Sequence, residues 1–189
     1  MKNTLIAAAL LAAGTAALAQ SATYGIDPTH TFVNFEAKHF GTSTLRGRFD
    51  KKEGSITIDR AAKTGKAEIT LDMASVSTGV GPLDGHLKSK DFFNTAEHPT
   101  AKFVGDKFTF DGAKVTAVAG TLTMLGKTMP VTLTASNYNC YDNPMFKREV
   151  CGGDFETTLQ RSQWGMDYGV KVGIPDGIRL LVQIEAIKQ

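Results

Sequence analysis

Four histidines and two cysteines are the side chains of this 189-residue chain best suited to chemistry. His30, His39, His86 and His98 could act as bases or metal ligands, but no two share metal-ligand spacing with a nearby carboxylate. The sequence contains no GxSxG elbow, P-loop, dinucleotide fingerprint or HExxH pair. Carboxylates are scattered over polar faces and turns, without an acid/base pair. Cys140 and Cys151 are not a CxxC unit and have no histidine between them. An even pair at that separation reads as a structural disulfide, ahead of a redox or metal pair. Two polar residues stand out for another reason. His39 shares a face with Val33 and Phe35, where it is either a hydrogen-bonded rim residue or a donor to a ligand head group. Arg161 continues the face of Phe155, Thr157 and Leu159, so it points inward and needs a partner. An internal carboxylate is expected before a bound anionic head group.

The elements that position these residues are strands. Thr31, Val33, Phe35 and Ala37 alternate with Phe32, Asn34, Glu36 and Lys38, mostly apolar against polar. The same period of two runs through Ala67–Met73, Val118–Met124 and Ile178–Ala186. Strands dry on one face and wet on the other belong to antiparallel sheet. Asp111-Gly112 predicts a tight hairpin, and Gly126-Lys127 predicts a II′ turn between Leu122–Leu125 and Thr128–Thr134. Short turns make sequence neighbours pair, so the expected fold is all-β, an up-and-down antiparallel barrel of about eight strands. Pro82 to Pro99 departs from the alternation, and Leu83, Leu87 and Phe92 fall at near-helical spacing. A short helical insertion is expected near residues 83–93, as a plug for one barrel end or a lid over a mouth. Whether the interior is filled or hollow is left open by alternation, since eight strands lie at the boundary. Inward Ala37, Gly47, Ala67, Gly120 and Thr157 lean toward a cavity.

Residues 1–19 read as a secretory signal peptide: a basic n-region with Lys2, the apolar run Leu5–Ala13, and Ala17-Leu18-Ala19 before the cut. Nine apolar residues are too few to span a bilayer. Residues 20–189 are then one exported domain, expected in the periplasm. The net charge of +2 makes no electrostatic case for nucleic acid or an anionic membrane.

Taken in order, several segments resemble the YceI family of periplasmic lipocalin-like polyisoprenoid-binding proteins. They are Tyr24–His30, Val33–His39, Leu45–Phe49, Val76–Thr78, His86–Phe93 and Gly120–Gly126 with Pro130-Val131. Arg161-Ser162-Gln163-Trp164-Gly165 completes the set, with Trp164 where phenylalanine is commoner. The resemblance implies an extended lipocalin-like barrel whose apolar tunnel holds a long amphiphile, an isoprenoid quinone or polyprenyl phosphate, with no other cofactor. It also implies homodimers and association with cytochrome b561-type membrane proteins. The Asn139–Gly153 segment with both cysteines is outside the family pattern and reads as a stapled loop or a partner contact.

On that basis the ligand-binding residues are expected to be Val33, Phe35, His39 and Phe49 from the early strands, with Ile69, Leu71 and Met73. Phe92, Phe93 and Phe103 follow, then Leu122, Met124 and Leu133, and finally Phe155, Arg161 and Trp164. Each sequestered methylene would contribute about 0.8 kcal/mol. Two competing functions remain: an envelope enzyme acting on a lipid in the same barrel, and a filled structural barrel working through its surface.

Overall fold

A computed structural model describes residues 21–189; the expected signal peptide, residues 1–19, lies outside the described residues. The strands are β1 (Ala22–Ile26), β2 (Phe32–His39), β3 (Ser43–Phe49), β4 (Lys52–Asp59), β5 (Thr64–Asp72) and β6 (Val76–Ser77). After helix α1 (Gly81–Lys88) come β7 (Thr100–Asp111), β8 (Lys114–Met124), β9 (Lys127–Asn143), β10 (Arg148–Gln160) and β11 (Gly177–Lys188). Antiparallel pairing runs β1-β4-β5-β7-β8-β9-β10-β11, and β11 returns to β1 to close an eight-stranded barrel. β2 and β3 are the continuations of β1 and β4 past a bend, since β1 and β2 both lie along β11. β6 likewise continues β5 alongside β3, so the expected up-and-down meander is the observed topology, with three of its eight long strands broken.

The first break, Asp27 to Thr31, shows how a closed sheet survives an interruption. Thr31 is wholly buried; its hydroxyl donates to the Glu185 carbonyl (3.0 Å) and accepts from the Glu185 N–H (3.2 Å). A side chain thus replaces a missing ladder pair, as a buried backbone group demands. Before it, the Asp27 carboxylate accepts from the Thr29 N–H (2.8 Å) and hydroxyl (2.6 Å) and from His30 Nδ1 (2.7 Å). Irregular pairing near Asp106 and Ser136 adds the curvature that closure requires.

Four local expectations shift. The β8–β9 turn is Leu125-Gly126, not Gly126-Lys127, because Met124 pairs with Lys127. Both turn residues have positive φ, 52° and 71°, the signature of a type I′ turn. A left-handed leucine costs about 1 kcal/mol, and Leu125 offsets this by packing on the core. Likewise Gly112-Ala113, rather than Asp111-Gly112, is the β7–β8 turn. The insertion is helical only over Gly81–Lys88; residues 89–97 continue as turns. The Asn139–Gly153 segment is no excursion, but the end of the β9–β10 hairpin, where Cys140 and Cys151 are direct cross-strand partners bridged by a disulfide.

Candidate functional site

The interior of the barrel is partly hollow. Ile69, Leu71, Phe103, Leu133, Leu180 and Val182 face inward, yet none is fully buried, because they border empty space. Two chambers occupy that space. The upper one, about 300 Å³, lies beneath α1 and the segment after β10, and reaches the surface beside exposed Lys38 and His39. The lower one, about 70 Å³, lies toward the β9–β10 hairpin end and has no exposed polar lining. Phe103, Leu133 and Val182 pack against both halves of the core and form a waist between the chambers.

Every residue expected to contact ligand faces one of the two spaces. Phe35, His39, Phe49, Leu71, Met73, Phe92, Phe93, Leu122, Met124, Arg161 and Trp164 line the upper chamber. Val33, Ile69, Phe103, Leu133 and Phe155 line the lower one. The small inward residues behave less simply. A Cβ on Gly47 would lie 2.2 Å from the Phe35 ring, and one on Gly120 would lie 2.0 Å from the Val104 carbonyl oxygen. These two glycines admit a neighbouring ring and a close strand approach; neither contributes void. Ala37 and Ala67 do border the chambers.

Arg161 has a different partner from the one expected. It is buried, and no carboxylate pairs with it among the described residues; backbone carbonyls surround it instead. Nε donates to Pro175 O (3.1 Å), Nη1 to Met166 O (2.7 Å), and Nη2 to Tyr168 O (2.8 Å) and more weakly to Ile174 O (3.5 Å). The side chain therefore pins the 166–175 loop over the upper chamber. Burial disfavours its charge, against the attraction of the nearby Asp176 and Asp167. Asp176 is engaged elsewhere, accepting from the Ser162 N–H (2.8 Å) and hydroxyl (2.6 Å).

An aromatic group flanks this cation. Its guanidinium lies 5.8 Å from the Phe92 ring centre, and Phe92 packs on Tyr168 (5.4 Å) and His86 (5.0 Å). His86 Nε2 lies 3.2 Å from the Asp91 carboxylate. Trp164 is 2% exposed, and its indole N–H donates to Leu122 O (3.3 Å). His86, Tyr168 and Ile174 were missed as lining residues. His86 alone carried a signal, one helical turn from Leu83 and next to Leu87; Tyr168 and Ile174 sit in a loop without periodicity.

The lower end is closed by polar chemistry. The Tyr24 hydroxyl donates to Glu149 (2.5 Å), which also accepts from Arg60 (2.9 Å). Burial and the Glu149 hydrogen bond raise the Tyr24 phenol above its ordinary range. For Glu149, burial opposes ionisation, but Arg60 and Tyr24 outweigh it and keep the carboxylate charged. Cys140, Glu149 and Cys151 bring two sulfurs and a carboxylate within 4.8 Å, but both sulfurs are spent in the disulfide and offer no thiolate.

This barrel has charged lining beside β2 and a Tyr24–Glu149–Arg60 cluster at the hairpin end. The model of the YceI-like domain matches residues 24–186. The chain belongs to the YceI family. Among its relatives, a UPF0312 protein of Pseudomonas aeruginosa is 35% identical over the whole of both chains. Protein YceI of Escherichia coli O157:H7 is 32% identical, again over the whole of both chains. Of solved structures, Burkholderia cenocepacia BcnA superposes with a TM-score of 0.70 at 23% identity, over 85% of this chain and 99% of that one. A polyisoprenoid-binding domain from Saccharophagus degradans gives 0.64 at 16% identity, over 88% and 98%. At those identities the two structures testify to the YceI barrel alone.

Proposed function

We propose that this YceI-family protein is a periplasmic carrier for one long-chain isoprenoid lipid, of the quinone or polyprenyl phosphate type. The observation that carries the reading is the two-chamber apolar interior, in which Lys38, His39 and Arg161 line the upper chamber and no charged side chain lines the lower one. The tail would lie through the upper chamber toward the waist, and the head group beside His39 and Arg161. Membership of the YceI family and the fold shared with a domain named for polyisoprenoid binding support the ligand class. The leader-like residues 1–19 and the cross-strand disulfide support export to an oxidising compartment.

Binding is favoured over catalysis by the chamber walls. Among the described residues neither chamber is lined by a serine, and the lone cysteine in the lining, Cys151, is in the disulfide. These walls, together with membership of the YceI family, support a binding module over an enzyme. Homodimers and a cytochrome b561-type membrane acceptor complete the proposal, since a carrier needs somewhere to deliver its lipid.

Organic extraction of protein purified from the periplasm, followed by mass spectrometry, tests this reading. Stoichiometric prenyl lipid is the expected result. Recovery of no lipid, together with no uptake of an added prenyl quinone, would overturn it; turnover of an added polyprenyl phosphate would favour an enzyme instead.

A further inference from the structure

The chamber mouth carries apolar side chains that the barrel does not use. Phe40, at the tip of the β2–β3 turn, is 55% exposed, and Val172, at the tip of the 166–175 loop, is 73% exposed. These two tips meet: a Cβ on Gly173 would lie 3.7 Å from the Phe40 ring. Phe40 holds its outward position with a left-handed backbone (φ 48°), a conformation that favours glycine. Neither residue lines a chamber, but each is joined to residues that do. His39 packs edge-on against Phe40 (4.9 Å), while Tyr168 and Ile174 in the Val172 loop line the upper chamber.

The charge next to the two exposed side chains is positive. Lys38 and His39 precede Phe40, and Lys171 precedes Val172. No acidic residue occurs between Lys38 and Arg46; in the second loop Asp167 and Asp176 stand at its base, away from the Val172 tip, and Asp176 is engaged by Ser162. Lys38 donates to the Thr44 hydroxyl (2.9 Å), and neither lysine has an ion-pair partner among the described residues. Exposed apolar tips with one unpaired lysine beside each match an anionic lipid surface, where the apolar groups enter the interface and the cations meet phosphates.

We propose that the Phe40 and Val172 tips dock the barrel mouth on an anionic phospholipid bilayer, so that lipid passes between membrane and upper chamber without crossing water. This rests on the carrier reading above, and adds to it the surface with which the protein meets its donor or acceptor. Direct contact matters because a prenyl chain leaving a bilayer through water would expose every methylene it had buried.

The test uses the full mature protein and its F40D/V172D variant. Flotation with phosphatidylcholine vesicles, with and without phosphatidylglycerol, measures docking. Transfer of a prenyl quinone between two vesicle populations measures its consequence, and loading from detergent micelles measures lipid capacity apart from docking. The wild type should float with the phosphatidylglycerol vesicles. The variant should lose that binding by about tenfold or more and transfer quinone correspondingly slowly, while loading from micelles unchanged. Vesicle binding equal in the two proteins, or absent from the wild type, overturns the proposal. So does a wild-type dimer that the variant dissolves with no vesicle binding, since a second copy would then cover the patch. Failure of the wild type to load from micelles would instead strike the carrier reading and leave the flotation result to judge docking by itself.

Discussion

Phe103→Ala should lengthen the lipid chain that the barrel accepts. Phe103 lines the lower chamber and packs against both halves of the core, so its ring forms much of the wall between 300 Å³ of space above and 70 Å³ below. Truncation joins the two. An isoprene unit admitted through the opened waist has five carbons, worth about 4 kcal/mol at about 0.8 kcal/mol each. Ordering that extra segment offsets more than half of the gain, leaving on the order of 1–2 kcal/mol, or five- to thirtyfold in affinity. The substitution itself costs about 3 kcal/mol of stability, the low end for Phe→Ala, because the ring already borders a void. The chain's one tryptophan, Trp164, lies in the upper chamber wall, and quenching of its fluorescence by prenyl quinones reports occupancy directly. For the wild type, affinity should rise with chain length and level off once the tail reaches the waist. In Phe103→Ala the plateau should move out by about one isoprene unit. An unchanged plateau in a folded variant would show that the tail never reaches Phe103, and the axial placement of the ligand would be wrong.

Three further outcomes follow from contacts at the two ends. Arg161→Met leaves four loop carbonyls without their donor; it should cost about 3 kcal/mol and make the 166–175 loop the first site of proteolysis, which limited digestion with mass mapping would show. Replacing both cysteines by serine should lower stability by about 3 kcal/mol in urea titrations, with added reductant bringing the wild type to the same level. Asp27 is partly buried, which opposes its ionisation, yet hydrogen bonds from His30 and Thr29 hold it at about 2 against an ordinary 3.8. Its contribution, about 2 kcal/mol, is fully present above pH 3.8 and is lost as pH falls toward 2. His30 is raised by the same pair, so its contribution is full below 6.5 and fades as pH rises through its elevated value. Asp27→Asn should remove both pH dependences from the urea midpoint; a pH profile identical to wild type would refute the pairing.

What the sequence made legible was whatever a period of two encodes. Val33 and Phe35, Ile69 and Leu71, and Leu122 and Met124 could be placed on the inner face because a one-residue slip would turn each strand inside out. That is why the expected lining residues on strands face the chambers, while Phe92, Phe93 and Trp164, which also face them, lie outside the alternation and were marked by the family resemblance. Turn position was less legible, because glycine signals a positive φ without fixing which residue shares it. At the β8–β9 hairpin the partner is Leu125, whose left-handed backbone is affordable through burial that no local pattern announces. The partners of Arg161 were illegible for a related reason. Its inward direction followed from alternation, but carbonyls from Met166 to Pro175 belong to a loop that acquires its shape only by wrapping around the guanidinium.

That inversion bears on how the site works. A carboxylate partner would neutralise Arg161. Carbonyl dipoles satisfy its donors and leave the positive charge in place. Burial disfavours that charge and the nearby Asp176 and Asp167 favour it, and the guanidinium stays protonated. The chamber thus combines apolar walls with cations that no carboxylate pairs directly, Arg161 and Lys38, an arrangement suited to a lipid whose head presents electron-rich oxygen. Prenyl quinone and prenyl phosphate should therefore bind more tightly than the hydrocarbon of equal length, and phosphate should show the stronger salt dependence. Equal affinity of all three by Trp164 quenching would mean that the tail alone is recognised and that Arg161 serves only to hold the loop.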